Sequence, residues 1–215
     1  MRCLLVAVVL LAGCGRLSFD TPGEDSATCG VQEDFNDGVA DGWTQIDPGW
    51  SVVVDMGPDH SGAFQVLQRE SFLYLTHPSI LGVTSATVDA DFRIDGAING
   101  DFDVLFAKPG WTNPPEDGAP YEFFEISPVG SDNAQDILFR LENSFPSNID
   151  QQPVMVNAGE YHHETVSFAG TELSSSLDGV PYLSGTDPMM TPPYDVIIGF
   201  YNGGVIDNIA VTCTR

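Results

Sequence analysis

The stretch "SATVDADFRID", residues 85–95, decides the fold. Val88, Ala90, Phe92 and Ile94 alternate with Asp89, Asp91, Arg93 and Asp95. A period of two is the mark of a strand with one face buried and one in water. "DFDVLFA" (101–107) repeats the pattern, with Phe102, Val104 and Phe106 expected inward. "DILFRLEN" (136–143) reads the same way, with Ile137, Phe139 and Leu141 inward. "WSVVVD" (50–55), "AFQVLQ" (63–68) and "SFLYLTH" (71–77) are further strand candidates. Turn signals stand at Asp178-Gly179 and at Asn202-Gly203-Gly204. About a dozen short strands at this spacing predict an all-β, antiparallel two-sheet sandwich. No stretch after residue 20 demands a helix.

The chain has 215 residues, enough for one domain behind a short leader. Lys and Arg total 7 against 31 Asp and Glu, for a formal charge of −24. Nucleic acid and anionic lipid surfaces both need basic patches, so this balance argues against them as partners. Dense carboxylate fits either simple solubility or the binding of a hard cation such as Ca²⁺.

The first residues, "MRCLLVAVVLLAGCGR", put Arg2 before an apolar run that is too short to span a bilayer and fits a secretory signal. "LAGC" (11–14) resembles a bacterial lipobox. The resemblance implies cleavage before Cys14 and lipid on its sulfur. Residues 1–13 are then a signal peptide, 14–28 the lipidated cysteine and a flexible tether, and 29–215 the folded domain. Gly15 stands where an aspartate would retain the protein at the inner membrane, so the expected location is the outer membrane of a bacterial envelope. The alternative is an ordinary signal peptide with a chance cysteine. Cleavage removes Cys3 and lipidation uses Cys14, leaving Cys29 and Cys213. In an oxidising compartment these form a disulfide, which requires the first and last strands to be neighbours. The alternative is two free buried thiols.

Three stretches resemble the concanavalin A-like lectin/glucanase superfamily. "EDFNDGVADGW" (33–43) is similar to the first strand and turn of its laminin-G-like and bacterial sugar-binding members. "GEYHHETVSFAGTELSSSLDGVPY" (159–182) is similar to their strand-hairpin pattern, and "IIGFYNGGVIDNIAV" (197–211) to their closing pair. The resemblance implies a concanavalin A-like jelly roll of two curved sheets. It includes lectins, glycosidases, lyases and adhesion modules, so it does not choose a function. It also implies a structural Ca²⁺ joining the first strand to the last, with Asp207 as the closing ligand and Asp34 or Asp37 as the early one. The alternative is that Asp37 and Asp207 serve only their own Asx-turns.

Long loops are expected at 108–120, 144–153 and 185–193. Trp111 in the first, with Tyr121 and Glu122 beside it, forms a candidate sugar-binding set: an indole face stacks on a pyranose and polar groups meet its hydroxyls. The alternative is a loop pinned down by its own tryptophan. The polar rows Asp89/Asp91/Arg93/Asp95, Asp101/Asp103 and Asp136/Arg140/Glu142 are candidates to line one shared sheet face.

"PYEFFEISP" (120–128) carries Glu122 and Glu125. Glucanases of the superfamily set three acids on one face of a strand. Here Glu122 and Glu125 are three apart, so a regular strand sends them to opposite faces, and Phe124 occupies the middle position. Only a β-bulge would bring them together. His162 and His163 are adjacent and read as surface residues, and no HExxH, CxxC or GxSxG motif is present. The expected protein is a monomeric, lipid-anchored jelly-roll module that binds carbohydrate or another surface ligand without catalysis. The alternatives are an adhesion lipoprotein that binds protein, and a glycosidase or polysaccharide lyase.

Overall fold

The computed structural model describes residues 27–54, 56–58, 61–66, 71–95, 100–112, 120–128, 135–143, 145–153 and 156–215. The leader, Cys14 and most of the tether lie outside the described residues.

In chain order the strands are β1 (Thr28–Glu33), β2 (Thr44–Gln45), β3 (Trp50–Val53), β4 (Ala63–Val66), β5 (Phe72–Thr76), β6 (Ser85–Ile94), β7 (Asp101–Ala107), β8 (Tyr121–Ile126), β9 (Gln135–Glu142), β10 (Phe145–Pro153), β11 (Tyr161–Ala169), β12 (Glu172–Leu177), β13 (Val180–Thr186), β14 (Asp195–Tyr201) and β15 (Gly204–Thr214). They form two antiparallel sheets. The 8-stranded sheet runs β13-β12-β11-β6-β15-β4-β3, with β1 also against β15. The 7-stranded sheet runs β10-β9-β8-β7-β14-β5-β2. Pro78–Ile80 is the one helical turn among the described residues.

The alternation of β6 holds along its length: Ala86, Val88, Ala90, Phe92 and Ile94 are buried, and the residues between them are partly exposed. Phe92 stacks on Phe102 at 4.4 Å, joining one sheet to the other. Phe106 and Phe168 do the same at 4.5 Å. Fully burying each ring contributes about 1.5–3 kcal/mol, so such pairs dominate the adhesion of the layers.

The hairpin at Asp178-Gly179 takes positive φ at both residues (51° and 76°), the type I′ geometry that suits strand twist. Asn202 and Gly203 turn the closing pair with φ of 64° and 100°. β1 and β15 are paired in register, with Cys29 opposite Cys213 and a disulfide between them. β1 takes in Thr28, one residue earlier than the expected domain start.

Two expectations fail. Residues 145–153 form strand β10, not a loop. β10 is the edge of its sheet, where Pro146 and Pro153 lose no ladder bond that the fold needs. In β9 the expected faces are inverted. Leu138 joins the main core, so Asp136 and Arg140 point between the sheets, whereas Phe139 and Leu141 pack on the other side. Both faces of β9 carry apolar residues, so periodicity cannot tell inside from outside.

Candidate functional site

The two sheets differ on their outward faces. That of the 8-stranded sheet is solvated along β6, β11 and β12. That of the 7-stranded sheet is largely withdrawn from solvent, and in that sense recessed: Tyr74, Leu105, Ala107, Tyr121, Phe123 and Ile197 form a second buried cluster there, with Ile46, Trp111, Phe139 and Leu141 packed against it.

Strand register places three carboxylates on this recessed face. One row across the sheet reads Tyr74, Gly199, Asp103, Glu125, Ile137. The next reads Phe72, Tyr201, Asp101. Asp103 and Glu125 are directly opposite on neighbouring strands, which sets their Cβ atoms about 4.5–5.5 Å apart. Asp103 is wholly buried, with one carboxylate oxygen accepting from the Tyr74 hydroxyl at 3.2 Å and the other without a partner among the described residues. Burial, then the Asp101 and Glu125 charges, push its pKa well above the usual carboxylate range. Burial and Asp101 raise Glu125 to about 7. Ser127 Oγ donates to Asp101 at 2.6 Å, which opposes the upward effect of burial on that residue.

Gly199 makes the Tyr74–Asp103 contact possible. Tyr74 is on β5, Asp103 is on β7, and Gly199 lies between them on β14. A Cβ at Gly199 would stand 2.3 Å from the Tyr74 ring, so only glycine lets the phenol cross to the acid.

Trp111 and Tyr121 come together as expected. The indole meets Tyr121 at 5.7 Å and Tyr74 at 5.4 Å, edge to face in both cases, with its N–H buried and unpartnered among the described residues. Trp111 therefore pins its loop and also walls the acid row. Glu122 does not join them. β8 is regular, without a bulge, so Glu122 faces between the sheets and Glu125 faces the recess. There Glu122 is raised to about 8 by burial and by Asp187, with Arg140 pulling the other way.

The three polar rows separate. Asp89, Asp91, Arg93 and Asp95 lie on the solvated face of the 8-stranded sheet, Asp101 and Asp103 in the recess, and Asp136 and Arg140 between the sheets. His163 bonds Asp91 on the outside, and His162 turns inward against Phe92 with Nδ1 on Asp178. His162 is thus half-buried, correcting its reading as a surface residue.

Asp207 is wholly buried at a register shift in β15 and accepts from Ser61 Oγ (2.8 Å) and the Asn208 amide (2.7 Å). Burial raises its pKa, and Asp91 and Asp34 add to the rise. Asp34 caps the Asn36 amide at 3.1 Å and Asp37 the Val39 amide at 3.0 Å, so both make Asx-turns. Among the described residues no group of three or more His, Cys, Asp or Glu is placed to hold a metal ion. Asp34 lies near enough to Asp207 for its charge to raise that acid, and both are oxygen donors of the kind a hard cation takes.

No protein-family model matches the chain, and no curated protein matches it. Solved structures do. A carbohydrate-binding module of Bacillus subtilis, CBM66, superposes with a TM-score of 0.58 at 14% identity, covering 78% of this chain and 93% of that one. The β-glucanase of Bacillus licheniformis gives 0.59 at 13%, covering 87% and 99%. The fold is that of the concanavalin A-like lectins and glucanases. A Bacillus subtilis protein of unknown function with a galectin-like fold gives 0.59 at 16%, covering 88% and 98%. At these identities the likeness extends to the jelly roll and no further.

The acids of the recess were within reach of the sequence. Asp101 and Asp103 have the opposite parity to Phe102, Val104 and Phe106, and Glu125 shares the parity of Tyr121 and Phe123. What was missing was the pairing of β7 with β8.

Proposed function

We propose that the chain is an extracytoplasmic module that binds carbohydrate on the recessed face of the 7-stranded sheet, without catalysis, and is held to a bacterial outer membrane by lipid on Cys14. The observation that carries the binding reading is the joining of aromatic rings to one buried and two partly exposed carboxylates on that face: Trp111, Tyr121, Phe72 and Tyr201 around Asp103, Asp101 and Glu125. Rings take the apolar side of a sugar, and carboxylates accept from its hydroxyls. The fold likeness to a carbohydrate-binding module and a β-glucanase supports the ligand class. A glycan array with the full chain tests it: binding is expected, and Trp111→Ala is expected to lose it. Absence of binding to every glycan sinks the reading.

A second reading, glycoside hydrolysis, draws on the facing pair Asp103 and Glu125. A carboxyl that keeps its proton near neutrality is what a general acid needs, and Glu125 has that property. Reducing ends released from lichenan or laminarin by wild type, and lost in Glu125→Gln, would establish it in place of the binding reading.

Calcium belongs to the same proposal, held by Asp207 with Asp34. Asp37 is the alternative early partner. The ion's contribution would be to tie the first turn to the last strand.

A further inference from the structure

Among the described residues, the recessed face carries charge of one sign only. Register and hydrogen bonds bring its acids together: Asp103 stands opposite Glu125, and Ser127 Oγ lies 2.6 Å from Asp101 and 3.4 Å from Glu125. One hydroxyl proton therefore serves two acids, and Asp103, wholly buried, keeps one oxygen without a partner among the described residues. A proton shared between Asp103 and Glu125 satisfies that pair and leaves Asp101 without a counter-ion. No described Lys or Arg supplies one. Arg93 is held by Asp95 and Arg140 by Glu142 and Asp187, Lys108 donates to Thr191 and lies over the Tyr194 ring, and Arg215 donates to the carbonyls of Pro78 and Ser79.

Beside Asp101 stand two rings that water reaches. Phe72, Tyr201 and Asp101 are neighbours in one row, on β5, β14 and β7. Phe72 meets Tyr201 at 4.9 Å, Tyr74 at 5.7 Å and Phe123 at 6.5 Å, and it is still 39% exposed. Tyr201 and Asp101 are partly exposed. Residues directly opposite have their Cβ atoms about 4.5–5.5 Å apart, so a cation seated between Tyr201 and Asp101 meets a ring and a carboxylate at once. The ring attracts it through its quadrupole, and the carboxylate adds a charged hydrogen bond. A neutral hydroxyl in the same place gains neither. Burial and then the neighbouring charges raise Asp103 and Glu125, and a cation beside Asp101 relieves the second effect.

We infer that the row Phe72, Tyr201 and Asp101 selects a cationic sugar, one that carries a free, protonated amine, over neutral and N-acetylated sugars. The inference rests on the carbohydrate reading of this face and adds the charge of the ligand to it. Tyr201 and Asp101 hold the ammonium, and Phe72 packs on the sugar ring that bears it. Trp111 and Tyr121, on the same face, take a further ring of the chain, which a lysine side chain does not offer.

The test uses the full chain and β-1,4-linked trisaccharides of glucosamine, N-acetylglucosamine and glucose, titrated by calorimetry at about pH 6, where an amine is charged. The amine form is expected to bind about tenfold more tightly than either neutral form, the size of a ring contact and a charge pair together. Asp101→Asn is expected to bring the affinities together. Glu172→Gln removes one charge from the solvated face of the other sheet and is expected to keep the preference. Neutral trisaccharides that bind as tightly as the amine form overturn the inference and leave the carbohydrate reading standing. No binding by any trisaccharide overturns the inference, and a blank glycan array sinks the reading as well. A preference lost equally in Glu172→Gln overturns it in favour of bulk charge, and a trilysine peptide that binds as tightly overturns it in favour of a peptide surface. If Asp101→Asn does not fold, NMR on wild type decides. The amine trisaccharide is expected to shift the backbone amide signals of Phe72, Asp101 and Tyr201 most, and shifts confined to β6, β11 and β12 overturn the inference.

Discussion

Gly199→Ala probes the recessed face through a single methyl group. The new Cβ would stand 2.3 Å from Tyr74 Cδ1 and 2.4 Å from the Leu73 carbonyl oxygen, where ordinary contacts begin near 3.4 Å. The ring can yield only by giving up contacts of its own, because Tyr74 is buried and packed against Trp111 and Phe72. Relief therefore moves the phenol off Asp103 and breaks the 3.2 Å bond. Overpacking a core costs about 1–3 kcal/mol. Leaving a buried acceptor without its donor costs about 1–3 kcal/mol more. The expected loss is about 2–6 kcal/mol, a fall in Tm of roughly 4–24 °C for a domain of this size. Tyr74→Phe incurs only the second contribution and is expected to fall by about half as much. Urea unfolding at fixed pH measures both. A Gly199→Ala midpoint within experimental error of wild type would refute the placement of Tyr74 across Gly199.

Other outcomes follow from the same geometry. Glu125 has its folded pKa raised to about 7 from an ordinary 4.5, so the folded state holds its proton more tightly than the unfolded state does. Its stabilising effect is complete below pH ~4.5 and is lost as pH rises toward 7, so stability measured in chelator declines over that window. Glu125→Gln is expected to flatten the decline, and an unchanged slope would contradict the assignment. Cys29→Ser/Cys213→Ser opens a loop with a sequence separation of 184, at a cost of about 5 kcal/mol by chain entropy; a midpoint unaffected by the change rules out a structural staple. Millimolar Ca²⁺ is expected to raise the Tm, and Asp207→Ala to remove the part of the rise that belongs to the closing strand. Cys14→Ser is expected to abolish labelling by palmitate, and undiminished incorporation would remove the anchor.

The sequence discloses those strands that keep one face in water. In β6 the acids face solvent and the apolar residues face the core, so the period of two is clean. β9 breaks the rule on both sides. Its outward Phe139 and Leu141 are covered within the recess, and its inward Asp136 and Arg140 are the polar members. A reader of periodicity assigns such a strand the wrong way round, and Asp136 is lost from view as an interior residue. β10 was hidden by its prolines, which an edge position tolerates. Opposite faces for Glu122 and Glu125 were legible because β8 is regular. The partnership of Glu125 with Asp103 was not, because it depends on register between β7 and β8, and the sequence between them is too long to fix register as a tight turn does.

The position of β15 has a consequence for how the molecule assembles. Gly204–Thr214 pairs with β6 along one edge and with both β4 and β1 along the other. The middle of the 8-stranded sheet is therefore supplied by its last strand. β1, β4 and β6 have no lasting partner in common until that strand arrives, and closing loops of such length is slow. During synthesis this sheet stays open until β15 has been made, and for a chain exported as proposed here, an open chain is what an export channel can thread.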